Sequence, residues 1–121
     1  MKEIKAYVHR GRIAGVIQAL RESGLCDFGG RTGGRNVTVY EVKGSLDPLE
    51  PDEQHYSMDL AEAVVHEFKL ELICEDDQAD TLVELIRTAA RTGQENAGWI
   101  CVVDLERVVP ISSSQGFDNS P

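Results

Sequence analysis

The stretch KLELICEDDQADTLVELIRTAARTGQENAGWICVV, residues 69–103, decides the fold, because its hydrophobic period changes twice. Residues 69–74 alternate polar and apolar side chains, as a half-buried strand does. From residue 79 onward Leu82, Leu85, Ile86 and Ala89 recur at helical spacing, with Asp76, Asp77 and Asp80 at the positive helix end and Gly93 as the expected stop. Residues 99–103, WICVV, read as a buried strand. The stretch is therefore a β-α-β unit.

The same unit occurs upstream. Residues 3–8 alternate, with Ile4, Ala6 and Val8 on one side, and predict a strand. Ile13, Val16, Ile17 and Leu20 then predict a helix over 12–23, closed at Gly24. The stretch DFGGRTGGR, residues 27–35, holds four glycines in nine residues and must be a loop. VTVYEV, residues 37–42, is β-branched and alternating, hence a second strand ending at Gly44. Between the two units, residues 45–68 carry seven carboxylates and neither Lys nor Arg. Pro48 and Pro51 exclude a helix from the first part, while residues 60–68 are open to a short helix with Leu60, Val64 and Phe68 inward or to a strand end. Residues 105–111 are expected to add a further short strand, and the polar stretch 112–121 to form a flexible tail. Two β-α-β units predict an α+β, ferredoxin-like (βαββαβ) antiparallel sheet with both helices on one face. The other face is expected to be apolar and to be hidden by self-association.

Composition narrows the function. The 121 residues allow one domain, and 12 Lys+Arg against 21 Asp+Glu leave a net charge of −9. A chain so acidic, with no basic patch, is not expected to bind nucleic acid or an anionic membrane. Its three cysteines show no CxxC spacing, and no signal peptide or membrane span is legible, so a cytoplasmic setting is expected. Cys74 and Cys101 read as small core residues, whereas Cys26 beside the Gly-rich loop is the better candidate for a reactive thiol. His9, His55 and His66 lie in three different segments, and no nucleophile-base spacing supports an enzyme.

Residues 75–111, together with MKEIKAYV at the start and VTVYEVKG at 37–44, resemble the PII signal-transduction proteins. The most specific matches are the helix opening at Asp76, Asp77, Asp80 and Thr81, the Thr92-Gly93 pair, and the ending at Asp104, Arg107, Val108 and Ile111. The resemblance implies a non-enzymatic homotrimer of residues 1–111, with 27–35 as an insertion. It further implies no tightly bound cofactor, but adenine nucleotide as an effector in inter-subunit clefts. A T-loop at about 45–59 would dock on a membrane transporter or an enzyme. Carried over, the nucleotide-binding residues are Tyr7, Thr38, Gly44, Glu71, Ile73, Thr92, Gly93, Asn96, Ala97, Gly98 and Trp99. Trp99 itself is open to two readings, a core filler or a stacking platform.

The departures concern charge. Glu67, Trp99, Pro110 and Ser112 stand where the family carries cations, so AMP or ADP is expected as effector rather than ATP, with bicarbonate as the alternative small anion. Arg31, Arg35 and Arg107 are the candidate anion-binding residues, the first two in a loop whose glycines could aim backbone N–H groups at a ligand. The signature around the family's modifiable tyrosine is absent at Tyr56, which argues against modification there. A second reading is a metal-responsive trimer linked to cation efflux or tolerance, using His55, Asp59, Glu62 and His66. A third is an interaction module that has lost its ligands.

Overall fold

The computed structural model describes residues 1–26, 35–49 and 53–111, with 35 and 36 described through their backbone alone. Strand β1 (Lys2–His9) places Ile4, Ala6 and Val8 against the helices. Helix α1 (Ile13–Glu22) buries Val16 and Leu20 and ends where expected: Gly24, at φ +74°, donates to the Arg21 carbonyl. Strand β2 spans Arg35–Gly44, with a register shift between Arg35 and Thr38. Then come β3 (His55–Ser57), β4 (Glu62–Cys74), a 3₁₀ turn (Asp76–Gln78), α2 (Ala79–Ala90) and β5 (Gly98–Asp104).

The sheet order is β2-β4-β1-β5, every pair antiparallel, with β3 added on β4. Both helices cover one face, where Val16, Leu20, Leu82 and Ile86 meet Ile4, Ala6, Val8, Leu70, Leu72 and Cys74 in one core. This is the ferredoxin-like α+β arrangement that the two β-α-β units predict.

Three expectations are corrected, and one open reading is settled. Residues 60–68, open to a helix or a strand end, contain no helix: Leu60 is exposed, and from Glu62 the backbone is strand, paired with β3 over Glu62–Val64 and with β2 from Val65 onward. Helix α2 stops at Ala90, where Arg91 turns extended, so Gly93 (φ +91°) serves the following loop and does not end the helix. No strand follows β5 among the described residues. Asp104 already lies opposite Lys2 and the Leu105 N–H meets the Met1 carbonyl, so β1 offers nothing further to pair with. Of the cysteines, Cys26 is buried in the core and Cys101 is exposed, the reverse of the sequence reading. The Gly-rich insertion 27–34, and the tail from 112, lie outside the described residues.

The uncovered sheet face is less apolar than expected. Side chains opposite one another in an antiparallel ladder share a face. One row runs Tyr40, Lys69, Tyr7, Trp99 across four strands, and the next runs Thr38, Glu71, Lys5, Cys101. Lys69 Nζ lies 5.4 Å from the Tyr7 ring centroid and 5.7 Å from that of Tyr40. It also pairs with Glu71 at 3.4 Å, and Tyr40 Oη donates to Glu71 at 3.0 Å. The charges on this face are thus matched within the face itself.

Candidate functional site

The functional geometry gathers at one end of the sheet, where β1 and β2 finish and β5 begins. Gly98 opens β5 opposite Val8 at φ +131°, and a Cβ there would collide with the Tyr7 carbonyl. The close approach fixes where the next side chain, Trp99, emerges. Trp99 faces Tyr7 across the ladder and is 68% exposed, so it is not core filler.

Two clefts meet at this pair. The first, about 300 Å³, is lined by Tyr7, Val42, Lys43, Gly44, Ser45, Leu46, Glu67, Asn96 and Trp99. The second, about 200 Å³, has an apolar floor of Val8, Ile86, Ala90 and Ile100 beneath Tyr7, Ala97, Gly98 and Trp99, with Arg87 and Arg91 at its rim.

Glu67 forms a wall of the first cleft. It lies opposite Val42 of β2 and His9 of β1 and is 4% exposed. Gly44 makes that possible, since a Cβ at 44 would occupy the space of the Glu67 carboxyl group. Glu67 Oε2 accepts the Leu46 N–H at 2.9 Å. Burial pushes the Glu67 carboxyl above its ordinary range, while that hydrogen bond and nearby His9 pull it back. Behind it, His9 Nδ1 accepts the Gly11 N–H at 2.8 Å, so Nε2 carries the ring hydrogen and donates it to Glu53 Oε1 at 3.1 Å. The same Glu53 oxygen accepts the Leu49 N–H at 2.6 Å.

The segment after β2 is also fastened to the loop after α2. Asn96 N–H donates to Asp47 Oδ2 at 3.1 Å, and Asp47 N–H returns to the Asn96 carbonyl at 2.9 Å. Asn96 Nδ2 donates to the Ser45 carbonyl at 2.6 Å, and Gln94 Nε2 to that of Pro48 at 2.8 Å. Displacing one segment must therefore disturb the other.

Of the residues singled out in the sequence, Tyr7, Gly44, Asn96 and Trp99 come together in the first cleft, and Tyr7, Ala97, Gly98 and Trp99 in the second. Thr92 and Gly93 begin the loop without lining either cleft; Thr92 Oγ1 accepts the Gln94 N–H at 3.3 Å. Thr38, Glu71 and Ile73 lie farther along the β2–β4 ladder on the uncovered face. Arg107 sits beside Glu106 beyond β5, apart from both clefts. Arg31 lies outside the described residues, as does the side chain of Arg35. The sequence reading missed Lys43, Arg87 and Arg91, the cations that do border the clefts. Lys43 adjoins Gly44, and the two arginines stand four apart in sequence, Arg87 in the last turn of α2 and Arg91 just past its end, so the signal was present.

The metal reading loses its geometry. On a helix Glu62 and His66, four apart, would share one face, but they lie on a strand, where four residues span about 13 Å. The rings of His55 and His66 stack at 4.8 Å, His66 Nδ1 lies 3.6 Å from Glu41, and Asp59 faces Lys43 at 4.0 Å. Among the described residues no three His, Cys, Asp or Glu side chains gather as metal ligands would.

Comparison with known proteins supplies the family. The sequence profile of nitrogen regulatory protein P-II matches residues 1–115. The chain belongs to the P-II family.

Among P-II proteins it is similar to nitrogen regulatory protein P-II 1 of Escherichia coli K12, 31% identical over 118 residues, covering 98% of this chain and 97% of that one. It is also similar to nitrogen regulatory protein P-II of Rhizobium meliloti, 29% identical over 119 residues, covering 98% of each chain. That of Mesorhizobium japonicum is 30% identical over 119 residues, again covering 98% of each. P-II proteins are regulatory signal-transduction proteins and not enzymes, and this divergent member is one of them. Among its described residues no helix is long and apolar enough to cross a membrane.

Proposed function

We propose that this P-II protein is a cytoplasmic homotrimer of residues 1–111, with 27–35 as an insertion in the P-II domain. It binds AMP or ADP as an exchangeable effector in clefts between subunits, with bicarbonate as the alternative small anion. It reports occupancy through residues 45–59, the T-loop, to a membrane transporter or an enzyme. The names of its relatives suggest nitrogen regulation as the setting. The observation that carries this reading is the set of hydrogen bonds joining Ser45, Asp47 and Pro48 to Gln94 and Asn96 beside the Tyr7–Trp99 cleft. A ligand entering that cleft meets the root of the T-loop directly, so binding and loop position share one free energy. Tyr7 and Trp99 offer aromatic faces to a base, while Lys43, Arg87 and Arg91 are the cations near enough to serve a short phosphate. Thr38, Glu71 and Ile73, on the uncovered face, fit this reading as residues completing a neighbouring subunit's site. Arg31, Arg35 and Arg107 are not needed for it.

At the far end of the T-loop, Tyr56, Met58 and Leu60 are exposed around the β3–β4 turn, where Ala61 takes φ +54°. Apolar side chains presented beside Asp59 and Glu62 suit a partner surface with an apolar pocket and a basic rim. Trp99 is the only tryptophan, so its fluorescence reports the cleft. Titration with AMP, ADP and bicarbonate should give a saturable change with at least one of them. No change with any of the three at millimolar concentration contradicts the assignment.

A further inference from the structure

Three backbone donors in and beside the first cleft are already taken by carboxylates. Leu46 N–H ends on Glu67, Leu49 N–H on Glu53, and Asn96 N–H on Asp47. Backbone N–H groups of this kind are what a loop offers to phosphate oxygens. Here the protein supplies its own carboxylates to them. Glu67 is the innermost of the three, 4% exposed and fixed in the wall by the missing Cβ of Gly44. Among the described residues Lys43 is the one cation lining this cleft, and it already has Asp59 at 4.0 Å.

We propose that Glu67 is a specificity-determining residue, which admits a nucleoside or nucleoside monophosphate to the cleft and turns away di- and triphosphates. The proposal rests on the effector reading above and narrows its ligand class. Each further phosphate brings charge towards a buried carboxylate that cannot turn away into solvent. Juxtaposed like charges in a desolvated site act against the wrong partner more than they change the affinity of the right one. A ligand with one phosphate can use Lys43, or Arg87 and Arg91 at the rim of the adjoining cleft, and leave Glu67 bonded to Leu46.

The test is calorimetric titration of the full-length protein and of Glu67→Gln with adenosine, AMP, ADP and ATP. Glutamine keeps the side-chain oxygen that accepts the Leu46 N–H and removes only the charge. The wild type should bind AMP at least about tenfold more tightly than ATP. In Glu67→Gln the ratio of ATP to adenosine affinity should rise by about tenfold, with a shallower salt dependence for ATP. ATP binding as tight as AMP in the wild type overturns the proposal, as does an unchanged ratio in the variant. The wild-type series decides the question even if the variant fails to fold. Binding of all four ligands without discrimination removes only the role of Glu67, whereas binding of none removes the effector reading itself.

Discussion

Glu67 carries a stability consequence separate from any ligand. Its carboxyl is pushed above the ordinary 4.5 by burial, so the folded state holds the proton more tightly than the unfolded chain does. The contribution is fully present below pH 4.5 and is lost as the pH rises through the raised value, because the folded state then gives up a proton it had favoured. Asp76 and Glu84 shift the other way, held low by the N-terminal ammonium and by Arg87, and their contributions are lost only on the acid side as the pH falls. The thermal midpoint of the wild type is therefore expected to decline above pH 4.5, and Glu67→Gln to flatten that decline; identical profiles contradict a buried carboxylate. At this scale the sequence showed only that a family cation had become an acid. That the acid is buried depends on Gly44 and Leu46 from the end of β2 and His9 from the end of β1 converging on it, which no local pattern in EFKLELIC encodes.

The elements β4 and β5 set the positions of the site residues. Residue 98 must be glycine for two reasons, its positive φ and the Tyr7 carbonyl pressed against it. Gly98→Ala is expected to cost roughly 1–3 kcal/mol in urea unfolding; an unchanged midpoint contradicts the close approach. Between elements, Asp47 joins the segment after β2 to the loop after α2. Asp47→Ala should lower the local protection of residues 94–97 by about 1 kcal/mol in hydrogen exchange while leaving that of α2 intact. If protection is unchanged, the two segments are not coupled. The β-α-β units were legible because their periods differ cleanly between strand and helix. The first half of β4 was not, since Leu60, Val64 and Phe68 match a helical stripe as well as EAVVHEF matches a strand. Pairing first with β3 and then with β2 decided in favour of the strand. The three residues of β3 have no alternation to read and exist only through β4.

At the scale of the whole molecule, the net charge of −9 is distributed with purpose. Part of it lies in Asp47, Glu53 and Glu67, which cap backbone donors of the loop segments. On the uncovered sheet face, by contrast, Lys69 with Glu71 and Lys5 with Glu3 balance locally. A neutral patterned face framed by Tyr7, Tyr40 and Trp99 suits contact with further copies of the chain, as the proposed trimer requires if Thr38, Glu71 and Ile73 of one subunit are to complete the cleft of the next. Family and fold were therefore legible from the sequence, as was the grouping of Tyr7, Gly44, Asn96 and Trp99, which line one cleft. The cations bordering the clefts were not, because the reading sought them at the family's positions and in the insertion. The most direct test is a crystal structure of the protein grown with AMP. The account predicts a trimer with the nucleotide between subunits against Tyr7 and Trp99. A monomer, or AMP bound elsewhere while that cleft stays closed, contradicts it.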